Sequence, residues 1–416
     1  MGDITVRSIE EGELPDYVRC IMTGFFGDRT IDDEVLAFWK ERMSDLTRRH
    51  AGFVDAQLAG TAGAFATELT VPGGATVPLA AVTGVTVLPT QRRRGLLREM
   101  MQAQLADCVD RGEVAAMLIA AEWPIYGRYG YGMAIEASTT ALDARAARFA
   151  EPLDRADRGT IELVDPADLR TIAPAVFDEH RRSVAGPIAR VDLTWDVLLG
   201  LRSRPREPKP SGSRVGVVHR TAAGTVDGYA TYRANEHWIE NRPHVKLEVD
   251  ELLTADPIAY RELWQFLASI DWVTEIVAHV RAVDEPLRFL LEDGRAAVQR
   301  DRSDHMWVRI LDIRKALEAR TYDVPFTMTV EIHDTQLGLG GRFVLDAGPD
   351  GATATPTAKD ADVALEVDAL GGAYLGGTPL SWFARQGKVE ERTPGALRTF
   401  AAALRTASAP WCTTNF

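Results

Sequence analysis

The residues best suited to chemistry lie between Val85 and Arg98, which read Val-Thr-Val-Leu-Pro-Thr-Gln-Arg-Arg-Arg-Gly-Leu-Leu-Arg. A strand is predicted to end at Val87 and an amphipathic helix to begin near Gly95, with an arginine-rich turn between them. The first turn of a helix has backbone N–H groups without an intrahelical partner, and the helix dipole adds positive charge there. Gly95 also lets a ligand approach the backbone closely. The segment therefore predicts a binding site for a pyrophosphate.

Three arginines of this segment, Arg93, Arg94 and Arg98, could add charge-assisted hydrogen bonds to such an anion. A run of arginines is equally typical of a helix start whose side chains are simply solvated. The apolar strand before the turn and the apolar strand predicted after the helix favour the anion site.

The elements that must position these residues alternate between strands and helices over the first third of the chain. Strands are predicted at residues 4–9, 52–58, 63–71, 76–87 and 114–121, and helices at 34–42 and 95–110. On the second helix, Leu97, Met101, Leu105 and Cys108 share one face at helical spacing. The order indicates an α/β or α+β domain that ends near residue 150.

A polar stretch over residues 143–158 separates this domain from a second one. The second domain is predicted to contain strands at 160–164, 215–220, 227–234 and 245–253, and helices at 165–182 and 257–270. Its order of elements repeats the first domain without the arginine turn. A third pattern begins near Trp307, with strands at 326–332, 342–346 and 363–367 and a helix at 394–405. We therefore expect domains at residues 1–150, 151–306 and 307–416.

The composition limits the possible partners. The net charge of -13 argues against nucleic acid or an anionic membrane as the main partner, because both require a basic face. An acidic chain would concentrate a cationic substrate, although acidity is also common for solubility alone. The sequence has no apolar stretch of the ~20 residues that cross a bilayer and no signal-peptide pattern, so we expect a cytoplasmic protein. Cys20, Cys108 and Cys412 are far apart and odd in number, so no disulfide framework or metal site is predicted.

Two motifs carry a resemblance to a known family. The segment Arg92–Leu97 resembles the Q/R-x-x-G-x-G/A signature of the GCN5-related N-acetyltransferases (GNAT), although Leu97 replaces the usual small residue. The longer segment Val85–Arg98 and the run Ile125-Tyr-Gly-Arg-Tyr-Gly-Tyr-Gly132 resemble one branch, the enhanced intracellular survival (Eis) aminoglycoside acetyltransferases. The chain length, the order of domains and the terminal Phe416 agree with that branch. The resemblance spans the whole chain and is strongest over residues 80–135.

The resemblance implies two tandem GNAT-like domains, the second degenerate, followed by a sterol-carrier-like α+β domain. It also implies a homo-hexamer and direct transfer from acetyl-CoA, with no metal, to the amine of a small cationic substrate. In the GNAT fold two strands splay apart and acetyl-CoA lies in the wedge between them. The residues implied to hold acetyl-CoA are Val85, Thr86, Val87, Arg93, Arg94, Gly95, Leu96, Leu97, Arg98, Ala121 and Glu122.

The family pattern assigns the proton donor to Tyr126. A phenol with an ordinary pKa of ~10 suits a departing thiolate, whereas the neighbouring tyrosines would only pack. The family's proton acceptor is the free carboxylate of the last residue, here Phe416. A carboxylate is a weak base unless it is desolvated, so it could instead orient the amine or act through water. Glu122 is the alternative base, and a frayed, solvated tail is the ordinary state of a C terminus.

The acceptor site is expected near the N terminus, where Phe26, Asp28 and Trp39 combine aromatic walls with a carboxylate. Such a site suits a polycation, although acidic residues also favour helix starts. The chain has Gly84 and Asn415 where the best-known family members have a bulky aromatic residue and an acid. An aminoglycoside is therefore one acceptor class and a protein lysine another. A third possibility is a catalytically silent scaffold that binds a lipid or a partner.

Overall fold

The computed structural model describes residues 3–151, 159–206 and 212–416. Residues 152–158 of the linker predicted over residues 143–158 lie outside the described part. Within that part, twelve strands form one continuous sheet and five strands form a second, smaller sheet.

The first domain is a mixed sheet with helices on both faces. Its strands are β1 Ile4–Ser8, β2 Arg49–Val54, β3 Gln57–Thr70, β4 Thr76–Val87, β5 Ala115–Leu118 and β6 Gly132–Asp143. Its helices are α1 Leu14–Gly24, α2 Asp33–Arg42, α3 Leu96–Asp110 and the short α4 Trp123–Tyr126.

The second domain repeats this order. Its strands are β7 Thr160–Val164, β8 Arg214–Arg220, β9 Val226–Ile239, β10 Arg242–Thr254, β11 Val273–Arg281 and β12 Ala297–Ile310. Its helices are α5 Pro166–Ser183, α6 Asp192–Leu198 and α7 Pro257–Ser269. Strand β12 continues across positions 306 and 307, where the sequence analysis places the start of the third domain.

The third domain carries the smaller sheet and the C-terminal tail. Its elements are α8 Ile313–Ala319, β13 Phe326–His333, β14 Gly341–Gly348, β15 Gly351–Pro356, β16 Val363–Glu366, α9 Val367–Ala373, α10 Leu380–Arg385, β17 Val389–Glu391 and α11 Ala396–Leu404. One hydrophobic core joins this domain to the first, because Leu79 and Ile135 pack in the same cluster as Val330 and Phe400.

The large sheet is built by strand exchange between the first two domains. Strand β12 of the second domain lies between β5 and β6 of the first, with Arg309 opposite Ala116. Strand β6 in turn pairs with β11 of the second domain, with Thr140 opposite Ala278. Each domain therefore includes a strand that the other domain contributes.

The structure differs from the predicted elements in several places. The sequence analysis lacks elements such as β6, α6, β11 and β12, and its strand at 52–58 crosses the turn between β2 and β3. Helix α1 is absent from the sequence analysis, although Leu14, Val18 and Ile21 have helical spacing and are buried. The strand predicted at 114–121 ends at Leu118. On α3 the residue buried at the start of the helix is Leu96, while Leu97 is only half-buried.

A buried ion pair joins β12 to the third domain. The Nη2 of Arg309 donates to a carboxylate oxygen of Asp334 over 2.6 Å, and both side chains are 0% exposed. Among the described residues, no helix is both long and apolar enough to span a membrane.

Candidate active site

The candidate site begins where two parallel strands part. Within the described residues, β4 pairs with β5 at only three positions, and Ala81 opposite Met117 is the last. Strand β4 then continues to Val87 along β3, whereas β5 stops at Leu118. A wedge therefore opens between the two strands beyond Ala81, and it exposes one edge of the β4 backbone.

A β-bulge lies at the mouth of this wedge. Thr83 pairs with Gly63 and Thr86 with Thr61, so that Gly84 and Val85 both stand opposite one residue of β3. Gly84 has φ +63°, and the Thr61 hydroxyl donates to its carbonyl over 2.6 Å. A bulge bends its strand, which accounts for the divergence of β4 from β5.

The arginine turn follows β4 and leads into α3, as predicted. Gly95 is the N-cap residue with φ +89°, and Arg93 has φ +64°. Gly95 has no side chain to cap the helix, and no side-chain hydrogen bond caps its first turn. Arg93, Arg94 and Arg98 are all exposed. Donors and positive charge are thus gathered at one end of the wedge, as binding of a pyrophosphate requires.

Two of these arginines already have partners within the turn. Arg94 donates to the side chain of Gln91 over 2.6 Å, and Arg98 pairs with Glu99 over 3.2 Å. Both contacts are exposed and local, so either guanidinium can turn towards a phosphate at little cost.

Tyr126 lies on the face of the sheet that α3 covers. It ends α4, and its ring packs edge-on against Tyr131 with 5.9 Å between the ring centroids. Burial raises the pKa of Tyr126 to about 12, with smaller contributions from Tyr129 and Glu122. The phenol is therefore neutral at physiological pH and able to donate a proton.

The second domain supports the segment around Tyr126. Trp123, at the start of α4, packs edge-on against Trp307 of β12 at 4.9 Å. A Cβ on Gly130, which has φ +80°, would lie 2.9 Å from the guanidinium carbon of Arg309. The turn after Tyr126 therefore needs a glycine at this position.

Phe416 reaches the opposite face of the same sheet. Its ring packs edge-on against Phe65 of β3, with 5.6 Å between the centroids. Ala64, the neighbour of Phe65, belongs to the cluster that contains Tyr126. Consecutive residues of a strand point to opposite faces, so Tyr126 and Phe416 approach the sheet beside the wedge from opposite sides.

The other two predicted cofactor contacts lie beyond the end of β5. Glu122 is the N-cap residue of α4, and both Ala121 and Glu122 are exposed. They lie at the mouth of the wedge on the side of Tyr126.

The predicted acceptor residues lie on the segment from α1 to α2. Phe26 is 94% exposed with φ +60°, and Asp28 is exposed and accepts a hydrogen bond from the backbone of Thr30. This hydrogen bond lowers the pKa of Asp28. Trp39 is half-buried and packs against Phe38. The segment presents an aromatic side chain and a carboxylate to solvent.

Some acidic groups on and beside α2, the helix that carries Trp39, have structural roles. Asp32 caps α2 by accepting from the backbone of Val35, and it also pairs with Arg206. Glu41 pairs with Arg202 over 2.6 Å. The second domain thus neutralises part of the negative charge near the predicted acceptor site.

The sequence analysis missed the residues that hold the tail. Thr413 and Thr414 accept hydrogen bonds from Arg190, which is paired with Glu251. A small cavity of about 140 Å³ beside this contact is lined by the tail, α6 and the end of α2. More than 220 residues separate Arg190 from the tail, so no local sequence pattern could have signalled the contact. Among the described residues, no cluster of His, Cys, Asp and Glu could hold a metal ion.

Three family models match the chain in order. An acetyltransferase (GNAT) domain matches residues 5–134, a second acetyltransferase (GNAT) domain matches residues 186–310, and a sterol carrier protein domain matches residues 313–413. The predicted fold class, two GNAT domains followed by a sterol-carrier-like domain, is thereby confirmed.

Relatives resemble the chain over most of its length. An uncharacterized N-acetyltransferase of Streptomyces avermitilis is 39% identical, over 100% of this chain and 99% of that protein. The N-acetyltransferase Eis of Mycobacterium tuberculosis is 34% identical, over 81% of this chain and 80% of that protein. The crystal structure of Eis1 from Mycobacterium abscessus superimposes with a TM-score of 0.85 at 31% identity, over 99% of this chain and 100% of that chain. The chain is an N-acetyltransferase and belongs to the Eis family of GCN5-related N-acetyltransferases.

Proposed function

We propose that the chain transfers the acetyl group of acetyl-CoA directly to an amine of a small polycationic substrate such as an aminoglycoside. The GNAT fold uses acetyl-CoA as its co-substrate. The observation that carries the proposal is the wedge between β4 and β5, with the arginine turn at one end and Tyr126 and Phe416 on its two faces.

In this proposal the backbone of Val85–Val87 pairs with the amides of the pantetheine arm as an added strand would. The N–H groups of Gly95, Leu96 and Leu97 and the arginines of the turn hold the pyrophosphate. Ala121 and Glu122 close the slot on the side of β5. The acetyl group then lies in the wedge, between Tyr126 on one face of the sheet and Phe416 on the other.

In this proposal Tyr126 and Phe416 carry out the two proton transfers. The Phe416 carboxylate accepts a proton from the substrate ammonium, directly or through water, or fixes the orientation of the amine. Tyr126 gives its phenolic proton to the departing sulfur, and its raised pKa keeps that proton in place until it is needed. The exposed Glu122 is the alternative proton acceptor.

Phe26, Asp28 and Trp39 are proposed to bind the acceptor. A carboxylate beside aromatic rings attracts an ammonium group through ion pairing and cation–π contact. Because Asp28 is exposed, its contribution depends on ionic strength.

A thiol-release assay with acetyl-CoA tests the acceptor class. We expect aminoglycosides and polyamines to be turned over with a higher kcat/KM than lysine peptides. Asp28→Asn should raise KM for polycations about two- to fivefold, as for an exposed ion pair, and leave a neutral monoamine unaffected. A preference for lysine peptides would redefine the enzyme as a protein acetyltransferase, and no release with any amine would favour a scaffold.

Reversing two charges of the turn tests the cofactor site. Arg93→Glu with Arg94→Glu should weaken acetyl-CoA binding by about 100-fold or more, because each charge-assisted hydrogen bond contributes ~1.5–3 kcal/mol. The fold should be intact, since both side chains are exposed. Calorimetry with acetyl-CoA is the measurement, and Arg182→Glu with Arg314→Glu is the control for net charge. Unchanged affinity in the first variant would show that the turn does not hold the cofactor.

Removing either proton-transfer group tests the catalytic assignment. Tyr126→Phe, or a short extension after Phe416 that converts its carboxylate to an amide, should lower kcat by ~10²–10⁴. Acetyl-CoA affinity should hardly change, because the arginine turn lies elsewhere. Tyr129→Phe and an N-terminal extension are the matched controls. If the extended enzyme turned over at the normal rate, Glu122 would become the base to test.

The proposal also includes a cytoplasmic location and a homo-hexamer. The three cysteines are unpaired and buried, as suits a reducing compartment. Trp238, Ile239 and Trp272 are exposed near one end of the large sheet and are candidates for contacts between subunits. Sedimentation velocity at micromolar concentration should show a six-subunit species that Trp238→Ser weakens. A monomer alone would contradict this assembly.

A further inference from the structure

We propose that Arg190 and Glu251 are positioning residues, which clamp the C-terminal tail so that the Phe416 carboxylate is held at the wedge of the first domain. The inference rests on the proposed role of that carboxylate. It gives the degenerate second domain a part in the reaction, as the support of a group that acts elsewhere.

The Arg190 guanidinium is held by two aromatic rings and by a carboxylate. It lies over the rings of Phe177 and Trp195, at 4.1 and 4.6 Å from their centroids. Its two terminal nitrogens donate to the two carboxylate oxygens of Glu251 over 3.0 and 2.5 Å. The Arg190 and Glu251 side chains are only 1% and 2% exposed. A planar group packed in this way has little freedom to turn.

The remaining donors of Arg190 reach the tail. Its Nε donates to the Thr414 hydroxyl over 2.9 Å, and its Nη2 also donates to the Thr413 hydroxyl over 2.7 Å. The Tyr229 hydroxyl donates to Glu251 over 2.5 Å and completes the group. Two consecutive tail residues are therefore bound to one rigid cation.

The ion pair remains charged inside the protein. Burial raises the pKa of the Glu251 carboxyl, but Arg190 and the hydroxyl donors outweigh burial and leave the pKa below its ordinary value. A buried ion pair contributes little net stability compared with apolar residues of the same size. It does provide strong donors in a fixed geometry, which is what a clamp requires.

The tail is also held at Trp411, two residues before Thr413. Its ring packs edge-on against His180 at 5.3 Å and lies beneath the Arg281 guanidinium at 4.4 Å. Its indole N–H donates to the carbonyl of Val280 over 2.6 Å. In the second domain Arg281 also donates to the carbonyl of Leu252 across the gap between β11 and β10, over 2.7 Å. Strands β10 and β11 pair in parallel as far as Val249 opposite Ala278, and beyond that point Arg281 bridges them and contacts Trp411.

The clamp limits how far the terminal carboxylate can move. Once Thr414 is fixed, two residues remain, which span at most ~7 Å of extended chain. If only Trp411 were fixed, five residues would span up to ~18 Å. The rate of a reaction falls about 100-fold when a catalytic group is misplaced by ~1 Å, so this restriction matters for turnover.

Removing the two tail hydroxyls tests the clamp while Arg190 and Glu251 both stay in place. Thr413→Val with Thr414→Val should lower kcat by ~10- to 100-fold and leave KM for acetyl-CoA unchanged. Thr413→Ser with Thr414→Ser restores the hydroxyls and should recover most of the turnover. The matched control is Thr393→Val, which removes a hydroxyl that donates to Asp362 in the third domain.

The extended-tail enzyme is measured in parallel to separate this proposal from the proposed function. If the valine variant turns over normally while the extended enzyme is inactive, the clamp is wrong and the carboxylate role stands. If the extended enzyme turns over normally, the carboxylate role fails and the clamp fails with it. A valine variant that loses acetyl-CoA affinity along with kcat, or that the serines do not rescue, would also overturn the clamp, because such damage is general.

Discussion

The exchange of strands between the first two domains is the constraint on which the rest of the structure depends. Strand β12 lies between β5 and β6, and β6 lies between β12 and β11. Backbone N–H and C=O groups in a sheet interior need partners on both sides, so neither domain has a complete sheet without the other. The same strand β12 carries Trp307 and Arg309, which support the segment around Tyr126. The second domain therefore helps to build the candidate active site of the first domain.

Buried arginines mark the junctions between the parts of the chain. Arg190 joins the second domain to the tail, and Arg309 joins β12 to the third domain. Arg320, within the third domain, donates to the carbonyls of Tyr374 and Leu404, which end two of its helices. A buried charge is costly without polar partners. Arg190 and Arg309 are each paired with a carboxylate, and Arg320 contacts two carbonyls, so each favours one arrangement of the surrounding elements over others.

The third domain is followed by the tail that brings Phe416 back to the first domain. Its interior is packed, within the described residues, by side chains such as Phe326 and Phe400, whose rings meet edge-on at 5.9 Å. Because its core is continuous with that of the first domain, the point after α11 where the C-terminal tail begins has a fixed position relative to the first domain. From there the tail passes through the second domain at Trp411 and returns to the first at Phe65.

The sequence by itself determined the local parts of this protein. The arginine turn and the start of α3 depend on a few consecutive residues, and Gly95 alone allows the backbone conformation there, so pattern and spacing were sufficient to predict them. Part of the order of strands and helices, such as β4 and α7, was also readable from the periodicity of apolar residues, whereas β6, β11 and β12 were not predicted. Tertiary structure alone decided the exchange of β6 and β12, the contact of Arg190 with the tail, and the placement of Phe416 opposite Tyr126. These contacts join residues that are far apart in the chain. They form because the surfaces involved are complementary in shape and in hydrogen-bonding groups once the chain has folded. A local sequence pattern does not contain that information.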